Sequence, residues 1–225
     1  MTLHDYYWSC FLASVALVTV LQIYSRSQTR NEQKAPTDSK FVLFQRWYLV
    51  AFLLSMFADW LQGPYIYELY VSYGFNKEQI AELFLGGYVS SMLCGTFVGG
   101  MADKFGRKTM CLLYCLFYGS ACVTKLVPDY NVLMLGRFLS GISTSLLFSV
   151  FEAWMVCEHH KQGFDSALLA DTFSHATFGN GVVAAVAGLT ANIAAHFGGF
   201  VSSEALTLLP VFVLTSCPIF LFPSL

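Results

Sequence analysis

The chain alternates between long apolar runs and short polar stretches. A helix that crosses a bilayer needs roughly 20 mostly apolar residues. Runs near that length lie at Tyr6–Tyr24, Phe44–Tyr70, Ile80–Met101, Thr109–Val127, Val132–Cys157, Ala167–Phe197 and Leu206–Leu221. The pattern predicts an all-α membrane protein with seven spans, the first an addition to a unit of six. Inside the second run Gly63-Pro64 predicts a weak or bent point, because proline removes a backbone donor and crowds the preceding turn. Ser25–Lys40 is polar, holds Pro36 and lacks periodicity, which predicts a flexible cytosolic linker. The other connections are short, so neighbouring helices run antiparallel. The expected organisation is an extra N-terminal transmembrane helix over 1–24, a basic cytosolic linker over 25–43 and a six-helix unit over 44–225.

Composition agrees. Apolar residues make up 56% and charged residues 12% of the chain, and mean hydropathy is +0.58. Soluble domains carry about twice that share of charge. The net charge of −2 leaves no basic footprint for nucleic acid. The seven cysteines are scattered, mostly within the runs. Cys111 and Cys115 share a helix face, but no paired histidine or cysteine ligands accompany them, so they read as small core residues and no metal is expected.

Charge also orients the chain. Only His4 and Asp5 precede the first run, whereas Arg26 and Arg30 follow it. A cleaved signal has basic residues before its apolar core, so a retained anchor with its N-terminus outside is expected. Alternate segments then place Arg26, Arg30, Lys34, Lys40, Arg46, Lys104, Arg107, Lys108 and Lys161 inside, and only Lys77 and Lys125 outside. That asymmetry puts residues 103–108 in the cytosol. Glycines crowd several runs, among them Gly86, Gly87, Gly136, Gly141, Gly179 and Gly188. They suit close helix packing in lipid; hinge points for transport are the alternative.

Charges inside spans cost about 2.5–3.5 kcal/mol each on insertion scales, so they single themselves out. Asp59 lies about 22 Å along its run from the inner face, and Arg137 about 8 Å below the outer face. In a core about 30 Å thick these depths are similar, and the two residues are expected to pair or to line one cavity. Three readings stand. The pair only registers two helices, or Arg137 binds an anion while Asp59 frees or neutralises it, or one of the two snorkels to the interface. Gln62 shares a helix side with Asp59, and Tyr65 and Tyr67 follow the Gly63-Pro64 break. His175 and Asn180 lie about 12 and 20 Å into the sixth run; His175 is either a hydrogen-bonded core residue or a substrate or proton ligand. Glu152 falls about 22 Å beyond Arg137 on its helix, near the inner end, where Arg107 is the expected partner.

One loop is more specific. Gly99-Gly100-Met101-Ala102-Asp103-Lys104-Phe105-Gly106-Arg107-Lys108 reads G-x-x-x-D-K-x-G-R-K. It resembles the signature loop between transmembrane helices 2 and 3 of the major facilitator superfamily. Gly99, Asp103, Lys104, Gly106, Arg107 and Lys108 all match. Gly106 permits a tight turn, and Arg107 has a rigid fork of donors suited to a carboxylate. The resemblance implies that the loop latches two transporter halves on the cytosolic side, and that the helices carrying Asp59 and Arg137 line a central cavity.

The segments Ala58–Tyr70, Leu135–Gly141 and Ser149–Met155, with the order of everything between, are similar to the molybdate-anion transporter family. That resemblance implies uptake of molybdate, a tetrahedral dianion whose oxygens suit forked arginine donors. Transporters of sulfate, a sugar or an organic anion are the runner-up. The resemblance also implies a second six-helix half. The sequence stops at Phe222-Pro223-Ser224-Leu225, just after family helix six, so a truncated product, a partial gene sequence or a splice form is expected. Such a half transports little unless it pairs with another half, or else serves as a partner or scaffold. The expected partners are membrane lipid and a small anion. No catalytic constellation, phosphate loop or cofactor motif is present, so neither enzyme activity nor a cofactor is expected.

Overall fold

The computed structural model describes Ser9, residues 13–14, 16–21, 23–24, 39–63 and 65–206, with side chains as far as Phe197. The described residues between 9 and 24 are helical. The linker residues 25–38, Pro64 and the seventh run beyond Leu206 lie outside the described set. The chain divides into two compact units, Met1–Val42 and Leu43–Leu225.

Six helices follow: α1 (Ser39–Gln62), α2 (Ile66–Ser72), α3 (Lys77–Phe105), α4 (Arg107–Thr124), α5 (Tyr130–Lys161) and α6 (Ser166–Leu206). The run at Phe44–Tyr70 is therefore two helices, α1 ending at Gln62 and α2 beginning at Ile66. Helix α1 starts at Ser39, inside the stretch read as linker. Among the described residues four stretches are long and apolar enough to cross a membrane: Ser39–Ser72, Lys77–Phe105, Tyr130–Lys161 and Ser166–Phe197. Helix α4 has only 18 residues, and Arg107 and Lys108 in its first turn lower its apolarity. Helix α6 runs unbroken through the polar Ser202-Ser203-Glu204 stretch, which the sequence pattern had placed between two spans.

Local chemistry sets the boundaries. Asn76 starts α3 with a capping box: its side chain accepts from the Gln79 amide at 2.8 Å, and the Gln79 side chain accepts from the Asn76 amide at 3.1 Å. Asp129 caps α5 through the amides of Asn131 and Val132 at 3.0 and 3.1 Å. Gly106 joins α3 to α4 at φ +88°, a conformation in which an L side chain is strained.

Within Leu43–Leu225, α5 is the axis of packing, with α3 and α4 laid along it. The α3–α5 contact is nearly backbone on backbone. A Cβ added at Gly141 would lie 1.9 Å from Ser90 Oγ and 2.3 Å from the Gly87 carbonyl. Ser145 Oγ donates across this seam to the Ser91 carbonyl at 2.6 Å, and Ser90 Oγ to the Phe138 carbonyl at 3.1 Å. Small residues that bring two helices into hydrogen-bond range are the packing device expected where no water drives association. Gly99, Gly100, Gly181 and Gly188 instead have open space around them, so helix packing does not account for those four. Large apolar side chains point outward along the helices: Tyr88 is 71%, Phe97 65% and Phe197 83% exposed. Such an outward-facing apolar surface belongs in lipid.

Candidate functional site

Arg137 lies on α5 one residue beyond Gly136. Its stem rests beside Gly87 on α3, with Cδ 3.7 Å from where a Cβ at that glycine would be. Its guanidinium carbon sits 4.3 Å from the ring centre of Phe84 and 5.2 Å from that of Tyr70. Both rings offer their electron-rich faces to the cation. The Nε and Nη2 atoms are buried and meet no hydrogen-bond acceptor among the described residues. Leaving a buried donor unmatched costs about 1–3 kcal/mol, and more when the group is charged. Two forked, desolvated donors backed by aromatic rings make a geometry ready for an oxyanion.

The expected pairing of Arg137 with Asp59 is not formed. Asp59 Oδ1 accepts from Gln62 Nε2 at 3.2 Å, and Gln62 Oε1 in turn accepts from Lys125 Nζ at 2.5 Å. Lys125 caps the end of α4 and is only 3% exposed. The buried cation nearest the acid is thus a residue that the sequence reading assigned to the outer surface. A lysine two residues from the end of an apolar run reads as one that snorkels to water; its burial depends on Gln62 arriving from another helix. Tyr73 Oη donates to the Lys125 carbonyl at 2.7 Å, which ties α2 to the same corner. From α4, Tyr118 Oη donates to the Ala58 carbonyl at 2.6 Å and Tyr114 Oη to the Ser55 carbonyl at 3.3 Å.

The remaining polar candidates are spent between helices. Asn180 Oδ1 accepts from Trp60 Nε1 at 2.9 Å, and Tyr65 Oη donates to Asn192 Oδ1 at 2.9 Å. Neither Trp60 nor Asn192 stood out in the sequence. Tyr67 is exposed. His175 bonds its own helix, with Nδ1 2.7 Å from the Asp171 carbonyl oxygen and 3.6 Å from Asp171 Oδ2, and its side chain is 57% exposed. It is not brought to Arg137 or Asp59 by any contact.

At the other end, Arg107 Nη2 pairs with Asp103 Oδ1 at 3.0 Å. Its Nη1 donates to the Ala153 carbonyl at 3.2 Å. The expected carboxylate partner, Glu152, is exposed and makes no ion pair among the described residues. Arg107 thus reaches the α5 backbone one residue beyond Glu152 and not the carboxylate itself. Lys104 lies over the Phe105 ring at 5.6 Å.

A family model described as "Sugar-tranasporters, 12 TM", MFS_5, matches residues 6–221. The chain belongs to this family of the major facilitator superfamily. Among curated relatives, the molybdate-anion transporter of Takifugu rubripes is 42% identical over 188 residues, which is 83% of this chain and 39% of that protein. That of Danio rerio is 41% identical over 84% of this chain and 40% of its own length. The Xenopus laevis protein is 37% identical over 91% of this chain and 46% of its own length. The chain therefore spans less than half the length of these relatives. No solved structure matches it. Membership in MFS_5, with the apolar helices, makes the chain a multi-pass membrane protein, and its relatives are transporters and not enzymes.

Proposed function

We propose that the chain is the amino-terminal half of a molybdate importer of the plasma membrane, and that Arg137 is its anion-binding cation. The observation that carries this reading is the guanidinium over Phe84 and Tyr70 whose Nε and Nη2 donors are buried and unmatched among the described residues. A tetraoxoanion supplies acceptors for both donors at once. The names of the relatives point to the same substrate.

A sugar, which the family description names, is the second reading. Sugar recognition needs free neutral donors and acceptors. Asn180, Tyr65 and Gln62 are engaged with Trp60, Asn192, Asp59 and Lys125. Among the described residues the Tyr48 hydroxyl is also unmatched, but the guanidinium is the unmatched group that carries a charge, and that favours an anion.

The N-terminus lies outside and the 103–108 loop in the cytosol, as the lysine and arginine asymmetry requires. A second half supplies the opposite wall of the cavity and the partner of the Arg107 latch. Moving one charge against 100 mV costs about 2.3 kcal/mol, so an inside-negative membrane opposes entry of a dianion by roughly twice that. Import therefore calls for a companion positive charge. Uptake of labelled molybdate by cells expressing the full-length protein tests the assignment. It should be competed by tungstate and sulfate and not by sugars, and competition by sugars alone would overturn it.

A further inference from the structure

The rings at Arg137 set the surroundings of any ligand as well as steadying the cation. Phe84 lies 4.3 Å and Tyr70 5.2 Å from the guanidinium carbon, and water cannot occupy the space those rings fill. Tyr70, Leu83 and Leu133 belong to one buried apolar cluster, with Phe84 and Met134 packed against it. The hydroxyls on neighbouring turns are already engaged. Ser90 Oγ lies 3.0 and 3.1 Å from the carbonyl oxygens of Gly87 and Phe138. Thr124 Oγ1 donates to the Ala121 carbonyl at 2.7 Å, and Tyr73 Oη to the Lys125 carbonyl at 2.7 Å. A hydroxyl has one proton to give, so none of these three has one left for a ligand. An anion that docks on this half gains Nε and Nη2 of Arg137 and sheds water over the surface it turns to the apolar cluster.

We infer that Phe84 and Tyr70 are specificity-determining residues, which make the anion site select by ease of dehydration and so favour a large, weakly hydrated tetraoxoanion over sulfate. The inference rests on the anion-binding reading of Arg137 and deepens it. Molybdate and sulfate have the same charge, shape and number of acceptor oxygens, so a forked cation alone scarcely tells them apart. They differ in size, because Mo–O bonds are longer than S–O bonds. The cost of taking an ion out of water falls as its radius grows. Where lost water is not replaced by donors, that difference stays in the affinity. The guanidinium is itself weakly hydrated, so the anion's hydration decides. Perrhenate separates this effect from charge, since it is close to molybdate in size and carries one negative charge in place of two. Selection by charge ranks sulfate above perrhenate, and selection by dehydration ranks perrhenate above sulfate.

The test is displacement of labelled molybdate from the purified full-length protein by unlabelled molybdate, sulfate and perrhenate near neutral pH. The wild type should bind molybdate about tenfold or more tightly than sulfate, the equivalent of one hydrogen bond to water left unreplaced. Perrhenate should displace the label at lower concentration than sulfate does. F84S brings a hydroxyl and water to the guanidinium, and should narrow the preference for molybdate over sulfate by roughly threefold or more. F84L keeps an apolar wall and should hold the preference near its wild-type value. Loss of packing alone would weaken both anions alike and leave their ratio unmoved. Should F84S fail to fold, the order of sulfate and perrhenate on the wild type decides without any variant. Sulfate displacing the label at lower concentration than perrhenate, or a wild-type ratio in F84S, overturns the inference. Absence of specific molybdate binding to the wild type overturns the anion-importer reading itself, and is distinguished because no ratio can then be measured.

Discussion

A guanidinium beneath the membrane surface is stable only when something answers its charge. At Arg137 the answer among the described residues is two aromatic faces, which leave the in-plane donors Nε and Nη2 unmatched. R137K keeps the charge and loses the fork, so molybdate binding to the purified full-length protein should weaken. R137A should weaken it by about 2 kcal/mol or more. Calorimetric titration with molybdate measures both, and equal affinity in R137A and wild type would remove Arg137 from the anion site. Asp59 and Arg137 were legible in the sequence as charges with no cheap reason to be in lipid. Their partners were not. Depth along a helix follows from counting residues, whereas the direction in which a side chain turns depends on helix rotation and on what the neighbouring helices present.

Helix contacts in lipid gain little from apolar burial, so they depend on close fit and on hydrogen bonds. The Gly141 seam between α3 and α5 shows how tight that fit is. G141A should lower stability by about 1–3 kcal/mol through overpacking, seen as a drop in the thermal unfolding midpoint in detergent. Gly188 has open space around it, so G188A should not lower the midpoint and should raise helix stability by roughly 0.5–1 kcal/mol. The same glycine-rich appearance in sequence thus hides two classes of position. Y118F removes the 2.6 Å bond that holds α4 to the Ala58 carbonyl and should cost about 1 kcal/mol, measured in the same way. The sequence did locate the break after α1, because Gly63-Pro64 interrupts hydrogen bonding locally. It did not foresee that α6 continues through Ser202-Ser203-Glu204, since a polar stretch can end a span without ending a helix.

For the whole molecule the decisive quantity is sidedness. A cysteine introduced at Phe105, beside Gly106, should react with an impermeant thiol reagent only when the cytosolic face is opened. Labelling from outside intact cells would invert the proposed topology. Arg107, bonded to both Asp103 and the Ala153 carbonyl, ties α4 to α3 and α5 at that face. It leaves Glu152 exposed, on the side where a second half is proposed to dock.

By itself, the sequence determined that the chain lives in lipid, roughly where most of its long helices lie and that the first of them breaks after Gln62, which superfamily its loop resembles and which charges are costly. Those properties follow from local composition and spacing, because a bilayer screens every residue along a span by the same criterion. The tertiary structure alone decided that Lys125 turns inward to Gln62 and Asp59, that Arg137 faces Phe84 and Tyr70 with donors open, and that Arg107 meets a backbone carbonyl in place of Glu152. Each of these joins groups from helices far apart in sequence, and a pairing of that kind exists only once packing has fixed the rotation of both helices.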